Sequence, residues 1–322
     1  MSRKIRRPIH TLLLLLSSAF LTVACQTSTV EQPDATGATA VGDNCRIVQH
    51  EMGETEICGQ PQKVAALSPH ILDNIVSLGA QPFAFADSDV SNMTLQTFNQ
   101  PEVQIPYVGQ YVTTEPINVG DRKSPSIELL AKIKPDLILS EDWLVKEQYD
   151  LLSQIAPTLL FSDENKAKKE QHWRYDIEGI AKALGRDTQA KELLAQHSNQ
   201  IETVREQLSP IVDAYSKVLV ISADDPASTI YTGGGTTPNL LRQVGFEVVS
   251  PEGDNPFSGQ TSQLSIEALT QIETDLIFVM TWSDEGVMDP QEKVKKIWSE
   301  HQLLNQISAY NAGHVFFRLY RK

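Results

Sequence analysis

A thirteen-residue segment occurs twice in this chain. Ser126–Ile138 (SIELLAKIKPDLI) returns as Ser265–Ile277 (SIEALTQIETDLI), 139 residues later. Each copy has the pattern of a short amphipathic helix followed by a buried strand. A tryptophan follows each copy at the same spacing, and these are Trp143 and Trp282. Two copies of one helix-and-strand unit predict two lobes of similar topology.

Apolar runs and amphipathic stretches alternate along most of the chain, which predicts an α/β fold: two α/β lobes with mainly parallel sheets. The stretch Asp187–Leu208 lacks glycine and proline and predicts one long helix, ended by Ser209-Pro210. We assign this connecting helix to residues 187–210, between an N-terminal lobe (45–186) and a C-terminal lobe (211–322). Ligands of open α/β sheets bind at the carboxyl ends of strands, so we expect a ligand cleft between the lobes that contains both tryptophans. The predicted strands are Val64–Leu67, Pro82–Phe85, Leu137–Leu139, Thr158–Phe161, Val218–Ile221 and Leu276–Met280.

The first residues have the pattern of an export signal. A basic start and a short apolar run precede Cys25, and the run is too short to span a bilayer. The sequence Leu21–Cys25 resembles a bacterial lipobox, which predicts a signal peptide at residues 1–24 and a lipidated Cys25; ordinary cleavage with release is the alternative. Residues 25–44 contain few large apolar side chains and predict a flexible tether.

The chain is acidic, with 27 basic and 41 acidic residues and a formal net charge of −14. Four basic and no acidic residues precede Cys25, so loss of that segment takes the net charge to −18. A surface of this sign argues against nucleic acid and against an anionic membrane face as partners.

Two further cysteines, Cys45 and Cys58, flank a segment that reads as a hairpin turning near Met52-Gly53. In an oxidising compartment we expect a disulfide across the ends of this hairpin. Two free thiols are the alternative.

These features together resemble the helical-hinge periplasmic binding proteins that deliver ferric siderophores and vitamin B12 to ABC importers. The resemblance covers nearly all of the chain after residue 44. It implies two lobes joined by a single long helix, which permits small closures. The family pattern continues for one more helix after the strand at Val315–Phe317, so it implies a C-terminal lobe short of that helix. The motifs that carry it are Ser126–Ile138 with its repeat, Ile75–Gly79, Ile155–Thr158 and Asn311–Phe316.

The resemblance assigns roles to three polar residues. Glu128 and Glu267, one in each copy of the repeat, match the glutamates that dock on the permease; a carboxylate at a helix start also has a purely structural explanation. Arg122 matches an arginine that contacts the ligand in hydroxamate-binding members, and a guanidinium suits an anionic chelate. A solvated loop charge is the alternative for Arg122.

Further ligand contacts are expected from residues near the strand ends. Aromatic faces supply contact area at little entropic cost, although core packing is a competing explanation. His70 follows the first strand, where metal-binding relatives place a ligand, so a direct metal site with Glu141, Asp142 and Asp284 is an alternative. The expected ligand contacts are Trp143, Tyr231, Phe257, Trp282, Arg318 and Tyr320.

The resemblance therefore implies a monomeric binding protein that carries a ferric siderophore, with the hydroxamate or citrate type favoured, to ABC permease subunits for iron uptake. Iron would be held by the siderophore, without a cofactor. The expected location is the periplasm or cell envelope, anchored by lipid to the outer face of the cytoplasmic membrane. Cobalamin or haem stays open as the ligand. We find no nucleophile elbow or nucleotide loop, which argues against an enzyme.

Overall fold

The computed structural model describes residues 44–87, 97–162, 172–222, 229–231, 236–249, 261–262, 265–283 and 290–321. All of these residues belong to one compact unit. Cys25, residues 26–43 of the predicted tether, and Phe257 lie outside the described residues. None of the described helices combines the length and hydropathy of a membrane-spanning segment.

Two six-stranded sheets and one hairpin contain the strands of the described chain. The strands are β1 (Cys45–His50), β2 (Gly53–Cys58), β3 (Val64–Ala66), β4 (Ala84–Asp87), β5 (Ile117–Asp121), β6 (Ser124–Pro125), β7 (Leu137–Glu141), β8 (Thr158–Phe161), β9 (Lys217–Ser222), β10 (Thr229–Tyr231), β11 (Glu247–Val248), β12 (Thr261–Ser262), β13 (Leu276–Ser283) and β14 (Val315–Arg321).

The helices lie between these strands, with short 3₁₀ helices at Gly109–Tyr111, Lys146–Gln148 and Gln302–Gln306. The α-helices are α1 (Pro69–Ser77), α2 (Pro101–Gln104), α3 (Ile127–Ile133), α4 (Asp142–Val145), α5 (Tyr149–Ser153), α6 (His172–Leu184), α7 (Asp187–Ala214), α8 (Thr236–Gln243), α9 (Ile266–Leu269), α10 (Pro290–Glu300) and α11 (Ser308–Asn311).

The sheet of the N-terminal lobe has the strand order β6-β5-β4-β3-β7-β8 and is parallel except at β6. Its strands alternate between two buried clusters, because successive side chains point to opposite faces. Val64, Ala66 and Phe85 pack on one face, whereas Ala65 and Ala84 pack on the other. Both faces are covered by helices, as the continuous apolar runs predict.

The C-terminal lobe has a mixed sheet with the order β12-β10-β9-β13-β14, and β11 pairs with β9. The pairs of β9 with β11 and β13, and of β13 with β14, are parallel, whereas β10 pairs antiparallel with β9 and β12. This confirms the prediction of two lobes with mainly parallel sheets.

Helix α1 shows how the sequence sets helix ends. The Ser68 hydroxyl accepts a hydrogen bond from the Ile71 backbone N–H at 3.2 Å, and Pro69 occupies the first turn. Gly79 follows the helix with a φ of +73°, a conformation that glycine adopts without steric cost. The helix therefore begins and ends next to the residues that predicted it.

The connecting helix α7 is longer than predicted. We expected it to end at Ser209-Pro210, but it continues through Pro210 to Ala214, where the Tyr215 N–H donates to the Ile211 carbonyl at 2.8 Å. A proline inside a helix removes one backbone hydrogen bond. Leu208 and Val212, on either side of Pro210, pack against a core cluster of the C-terminal lobe. This packing keeps the last turn helical.

A hairpin of β1 and β2 covers the outer edge of β8. The Glu51 N–H donates to the Leu160 carbonyl at 2.9 Å, and the Leu160 N–H donates to Nδ1 of His50 at 3.2 Å. Cys45 and Cys58 face each other in the hairpin and form a disulfide with an Sγ–Sγ distance of 2.00 Å. The turn lies at Glu51 and Met52, close to the predicted position.

Candidate functional site

The carboxyl ends of the parallel strands in the N-terminal lobe share one edge of the sheet, and three of the predicted site residues lie there. His70 is in the first turn of α1, just after β3. Arg122 directly follows β5, and Trp143 comes two residues after the end of β7. The topology therefore brings together residues that are far apart in the sequence.

Arg122 and Trp143 contact each other at this edge. The guanidinium carbon of Arg122 lies 5.3 Å from the ring centroid of Trp143, a cation–π arrangement. The indole is 49% exposed, so one part of it is available for a ligand. The Arg122 backbone N–H donates to the Asp87 carbonyl at 3.0 Å, which fixes the start of the loop.

Glu141, the last residue of β7, holds the indole of Trp143 in place. The Trp143 Nε1–H donates to Oε1 of Glu141 at 3.1 Å. Glu141 is only 5% exposed, and its Oε2 has no hydrogen-bond partner among the described residues. The sequence suggested Glu141 only as a metal ligand. Its partnership with Trp143 depends on the strand ending at residue 141, and the sequence predicted an end at residue 139.

His70 is paired with a buried carboxylate. Its Nε2 lies 3.1 Å from Oδ2 of Asp176 on α6 and 3.2 Å from Nδ2 of Asn74. Burial by itself lowers the pKa of His70, but the hydrogen bond that His70 donates to Asp176 and the charges of Glu141, Asp176 and Asp73 outweigh it and raise the pKa above 6.5. No sequence signal indicated Asp176, because the pair depends on how α6 packs on α1.

The metal alternative at His70 is only partly described by the structure, because Asp284 lies outside the described residues. Among the described residues, the one group of three or more His, Cys, Asp or Glu side chains close enough to share an ion is Cys45, Glu56 and Cys58. The two sulfurs of that group are already joined to each other. Within the described chain, His70 does not belong to such a group.

For four of the predicted ligand contacts in the C-terminal lobe, the structure describes the backbone but not the side chain. Tyr231 ends β10, and its side chain lies outside the part that the structure describes, as do those of Trp282, Arg318 and Tyr320. We expected Trp282 to come after its strand, and Arg318 and Tyr320 to follow the last strand. Instead β13 and β14 stay paired in parallel to their ends, with Trp282 opposite Tyr320, because the ladder continues beyond the predicted limits.

Glu128 and Glu267 occupy equivalent, exposed positions at the starts of α3 and α9. In each copy the serine of the repeat caps the helix: the Ser126 hydroxyl accepts from Leu129 N–H at 3.2 Å, and the Ser265 hydroxyl from Ala268 N–H at 3.3 Å. A backbone N–H and the Ser265 hydroxyl lower the pKa of Glu267. The two glutamates are thus repeated, charged and solvent-facing.

Two similar α/β lobes, joined by one long helix and carrying polar and aromatic residues at the strand ends, define the class of two-lobed solute-binding proteins. Residues 64–318 match the periplasmic binding protein family, and the chain belongs to that family. Members of this family are binding proteins, not enzymes.

Several relatives match over most of their length. The Fe(3+)-citrate-binding protein YfmC of Bacillus subtilis strain 168 is 25% identical over 302 residues, covering 94% of this chain and 86% of that protein. The Fe(3+) dicitrate-binding periplasmic protein FecB of Escherichia coli K12 is 23% identical over 268 residues, covering 83% and 80%. Among solved structures, Staphylococcus aureus SirA complexed with staphyloferrin B has a TM-score of 0.64 at 27% identity, covering 84% of this chain and 88% of that chain.

Proposed function

We propose that this protein is the solute-binding component of an ABC importer, which captures a ferric siderophore of the hydroxamate or citrate type and delivers it to a permease for iron uptake. Iron arrives inside the chelate, so the protein needs no cofactor of its own and catalyses no reaction. ATP hydrolysis belongs to the partner.

The observation that carries this proposal is the cation–aromatic pair at the strand edge of a chain that belongs to the periplasmic binding protein family. The partly exposed Trp143 offers apolar contact area, and Arg122 beside it offers directed hydrogen bonds to oxygen-rich chelates. Tyr231, Phe257, Trp282, Arg318 and Tyr320 would complete the site from the C-terminal lobe.

The remaining parts of the proposal concern location and partners. Cleavage before Cys25 and lipidation of its sulfur would hold the monomer at the outer face of the cytoplasmic membrane. Glu128 and Glu267 would meet cationic residues of the two permease subunits. The repeated serine caps support this role, because they present both carboxylates in the same way.

Tryptophan fluorescence tests the binding function directly. The chain has four tryptophans, and Trp143 is half-exposed whereas Trp298 is fully buried. We expect saturable quenching by a ferric citrate or ferric hydroxamate complex, and a much smaller response to iron-free chelator, cobalamin, haem or divalent metal ions. Trp143→Phe should remove the part of the quenching that does not come from Trp282, and Trp173→Phe serves as the control. A response to cobalamin, haem or free metal alone would refute the proposal.

A further inference from the structure

The hairpin of β1 and β2 has one face toward the core and one face toward solvent. Val48 and Ile57 are 0% and 2% exposed and pack in the core of the N-terminal lobe. Because successive side chains of a strand alternate between faces, Cys45, Cys58 and Glu56 share the outer face. Cys58 and Glu56 are exposed, and Cys45 is partly exposed. Reagents in solvent can therefore reach this cysteine pair and the carboxylate beside it.

These three side chains carry atoms that suit a thiophilic metal ion. The two sulfurs and a carboxylate oxygen of Glu56 all lie within 4.8 Å of one another. Zn²⁺ binds Cys thiolates at about 2.3 Å and carboxylate oxygens at about 2.0–2.2 Å, so one ion can contact ligand atoms at this spacing. In the oxidised chain the sulfurs bind each other, and they become metal ligands only as thiolates, after reduction.

Contacts other than the disulfide also fix the position of this hairpin. Cys45 and Cys58 are the outermost of six residue pairs that face each other along β1 and β2. The Arg46 guanidinium donates to three backbone carbonyls, one just after β2 and two in α6, at 2.5 to 2.6 Å. At its turn, the hairpin is hydrogen-bonded to β8. We therefore expect the two thiols of the reduced chain to stay opposite each other.

We propose that the reduced chain binds one thiophilic divalent cation of the Zn²⁺ class between Cys45, Cys58 and Glu56. Reduction by a dithiol breaks the S–S bond: two electrons and two protons pass to the cysteines, and the dithiol becomes a cyclic disulfide. The cation then replaces the two thiol protons, which pass to water, and the Glu56 carboxylate adds a third ligand. The site shares no residue with the proposed chelate site and goes beyond the proposed function.

The cation and the disulfide exclude each other, because both need the same two sulfurs. A bound cation withholds the thiolates from an oxidant, and the oxidised pair has no thiolate to offer a cation. A reduced chain that meets Zn²⁺ before it meets an oxidant should therefore keep its hairpin thiols until the cation leaves.

The chain supplies a matched control for the carboxylate ligand. Glu54 lies two residues from Glu56 on the same outer face of β2, and its carboxylate accepts a hydrogen bond from Gln49. Glu54 does not belong to the group of three close ligand atoms. Removing its charge therefore changes the local field without removing a ligand.

Titration of the reduced full-length chain with Cd²⁺, followed by the ultraviolet absorbance of the thiolate–cadmium bond, tests the proposal. The chain has three cysteines, so Cys25→Ser throughout leaves the hairpin pair as its thiols. After reduction by dithiothreitol and removal of the reductant without oxygen, we expect saturation at one Cd²⁺ per chain and displacement by Zn²⁺. The oxidised chain and the Cys45→Ser/Cys58→Ser double variant should show no such absorbance.

The two glutamate variants separate a built site from a bare thiol pair. Glu56→Gln should weaken Cd²⁺ binding by the reduced chain about tenfold, because a neutral amide replaces the carboxylate ligand. Glu54→Gln should leave the affinity unchanged. Equal affinities of the two variants, or saturation at one ion for two chains, would overturn the proposal.

The rate of oxidation gives an independent readout. One equivalent of Zn²⁺ should slow oxidation of the reduced chain by glutathione disulfide at least about tenfold, and Glu56→Gln should restore part of the rate. An unchanged rate in the presence of Zn²⁺ would contradict the proposal. Chelate binding by the oxidised protein, measured by tryptophan fluorescence, is unaffected by any of these outcomes, so the proposed function is tested separately.

Discussion

The two lobes share a scaffold but differ at the edge where a ligand would bind. In both, the aspartate of the repeat ties strands together: Oδ2 of Asp136 accepts from the Lys63 N–H and Oδ2 of Asp275 from the Lys217 N–H, each at 2.9 Å. At the other end of the same strands the lobes diverge. Glu141 ends β7, and Met280 stands at the same spacing in β13; both are 5% exposed.

This difference distinguishes residues that stabilise the repeated helix-and-strand unit from residues that serve only one lobe. The serine cap and the aspartate stabilise the helix-and-strand unit itself, so both copies need them. The position held by Glu141 in β7 and by Met280 in β13 stabilises no feature that both copies share. A buried carboxylate at this position is stabilised only by a hydrogen-bond partner, and Trp143 is that partner for Glu141. Among the described residues, the N-terminal lobe therefore places a buried carboxylate, Glu141, against an aromatic residue of the candidate site.

The largest effect on iron uptake should come from the exposed glutamates that both lobes carry, Glu128 and Glu267. Changing Glu128 and Glu267 together to alanine should reduce iron uptake by cells more than about tenfold, because docking would lose a charged contact on each lobe. Either single change should have a smaller effect. The exposed pair Glu206→Gln and Glu300→Gln is the control. Loss of chelate binding by the purified Glu128/Glu267 double variant would contradict a docking role.

Exchanging the residues at the equivalent positions of β7 and β13, Glu141 and Met280, breaks the comparison most directly. Met280→Glu would bury a carboxylate among apolar neighbours and should cost about 3 kcal/mol or more of unfolding free energy. Glu141→Met should cost less than about 1.5 kcal/mol, because an apolar side chain suits the buried position. Urea unfolding at pH 7 measures both. Equal costs would show that the two positions are equivalent after all.

Acid should weaken the N-terminal lobe through His50. Burial lowers the pKa of His50 from 6.5 to about 4, so the unfolded chain binds the proton first as the pH falls. This contribution is present above pH 6.5 and is lost as the pH falls to 4; we expect it to be about 2 kcal/mol, allowing for solvent screening. Urea unfolding at pH 7 and pH 4.5 should show the loss. His50→Gln should reduce the pH dependence and His301→Gln should leave it; an unchanged dependence in His50→Gln would contradict this assignment.

The smallest expected effect concerns the shared aspartates. Asp136 accepts from two backbone N–H groups, those of Gln62 and Lys63, whereas Asp275 accepts from one backbone N–H group of the described chain, that of Lys217. Asp136→Ala should therefore cost about 1.5 kcal/mol and Asp275→Ala about 1 kcal/mol, measured by urea unfolding. The asparagine variants, which keep an acceptor oxygen, should cost less. A greater cost at Asp275 would reverse the proposed order.

Local signals predicted the scaffold well. Thr158–Phe161 forms a strand with the predicted limits, and Ser68-Pro69 and Gly79 flank α1 as expected. Errors arose where pairing or packing over a distance decided the outcome. Pro210 did not end α7, because flanking side chains pack on the C-terminal core, and β13 and β14 ran on because each supports the other.

The candidate site was predicted residue by residue but not as a network. Trp143 and His70 were identified from their places after predicted strands, and Arg122 was identified from the family resemblance. The carboxylates that hold two of them were not assigned that role, because the contact of His70 with Asp176 spans 106 positions in the chain. Contacts between residues so far apart in the sequence depend on the order of strands in the sheet and on helix packing, and no single segment of sequence specifies either.

The hairpin has a consequence for the chain before it is fully folded. A bare strand edge is a template on which a second molecule can add, and the apolar Leu159-Leu160 of β8 would suit such addition. In the folded protein His50 and Glu51 take up the edge groups of Leu160, and the Cys45–Cys58 bond closes the hairpin that carries them. We therefore expect that oxidation of this cysteine pair helps to keep newly made copies from aggregating with one another.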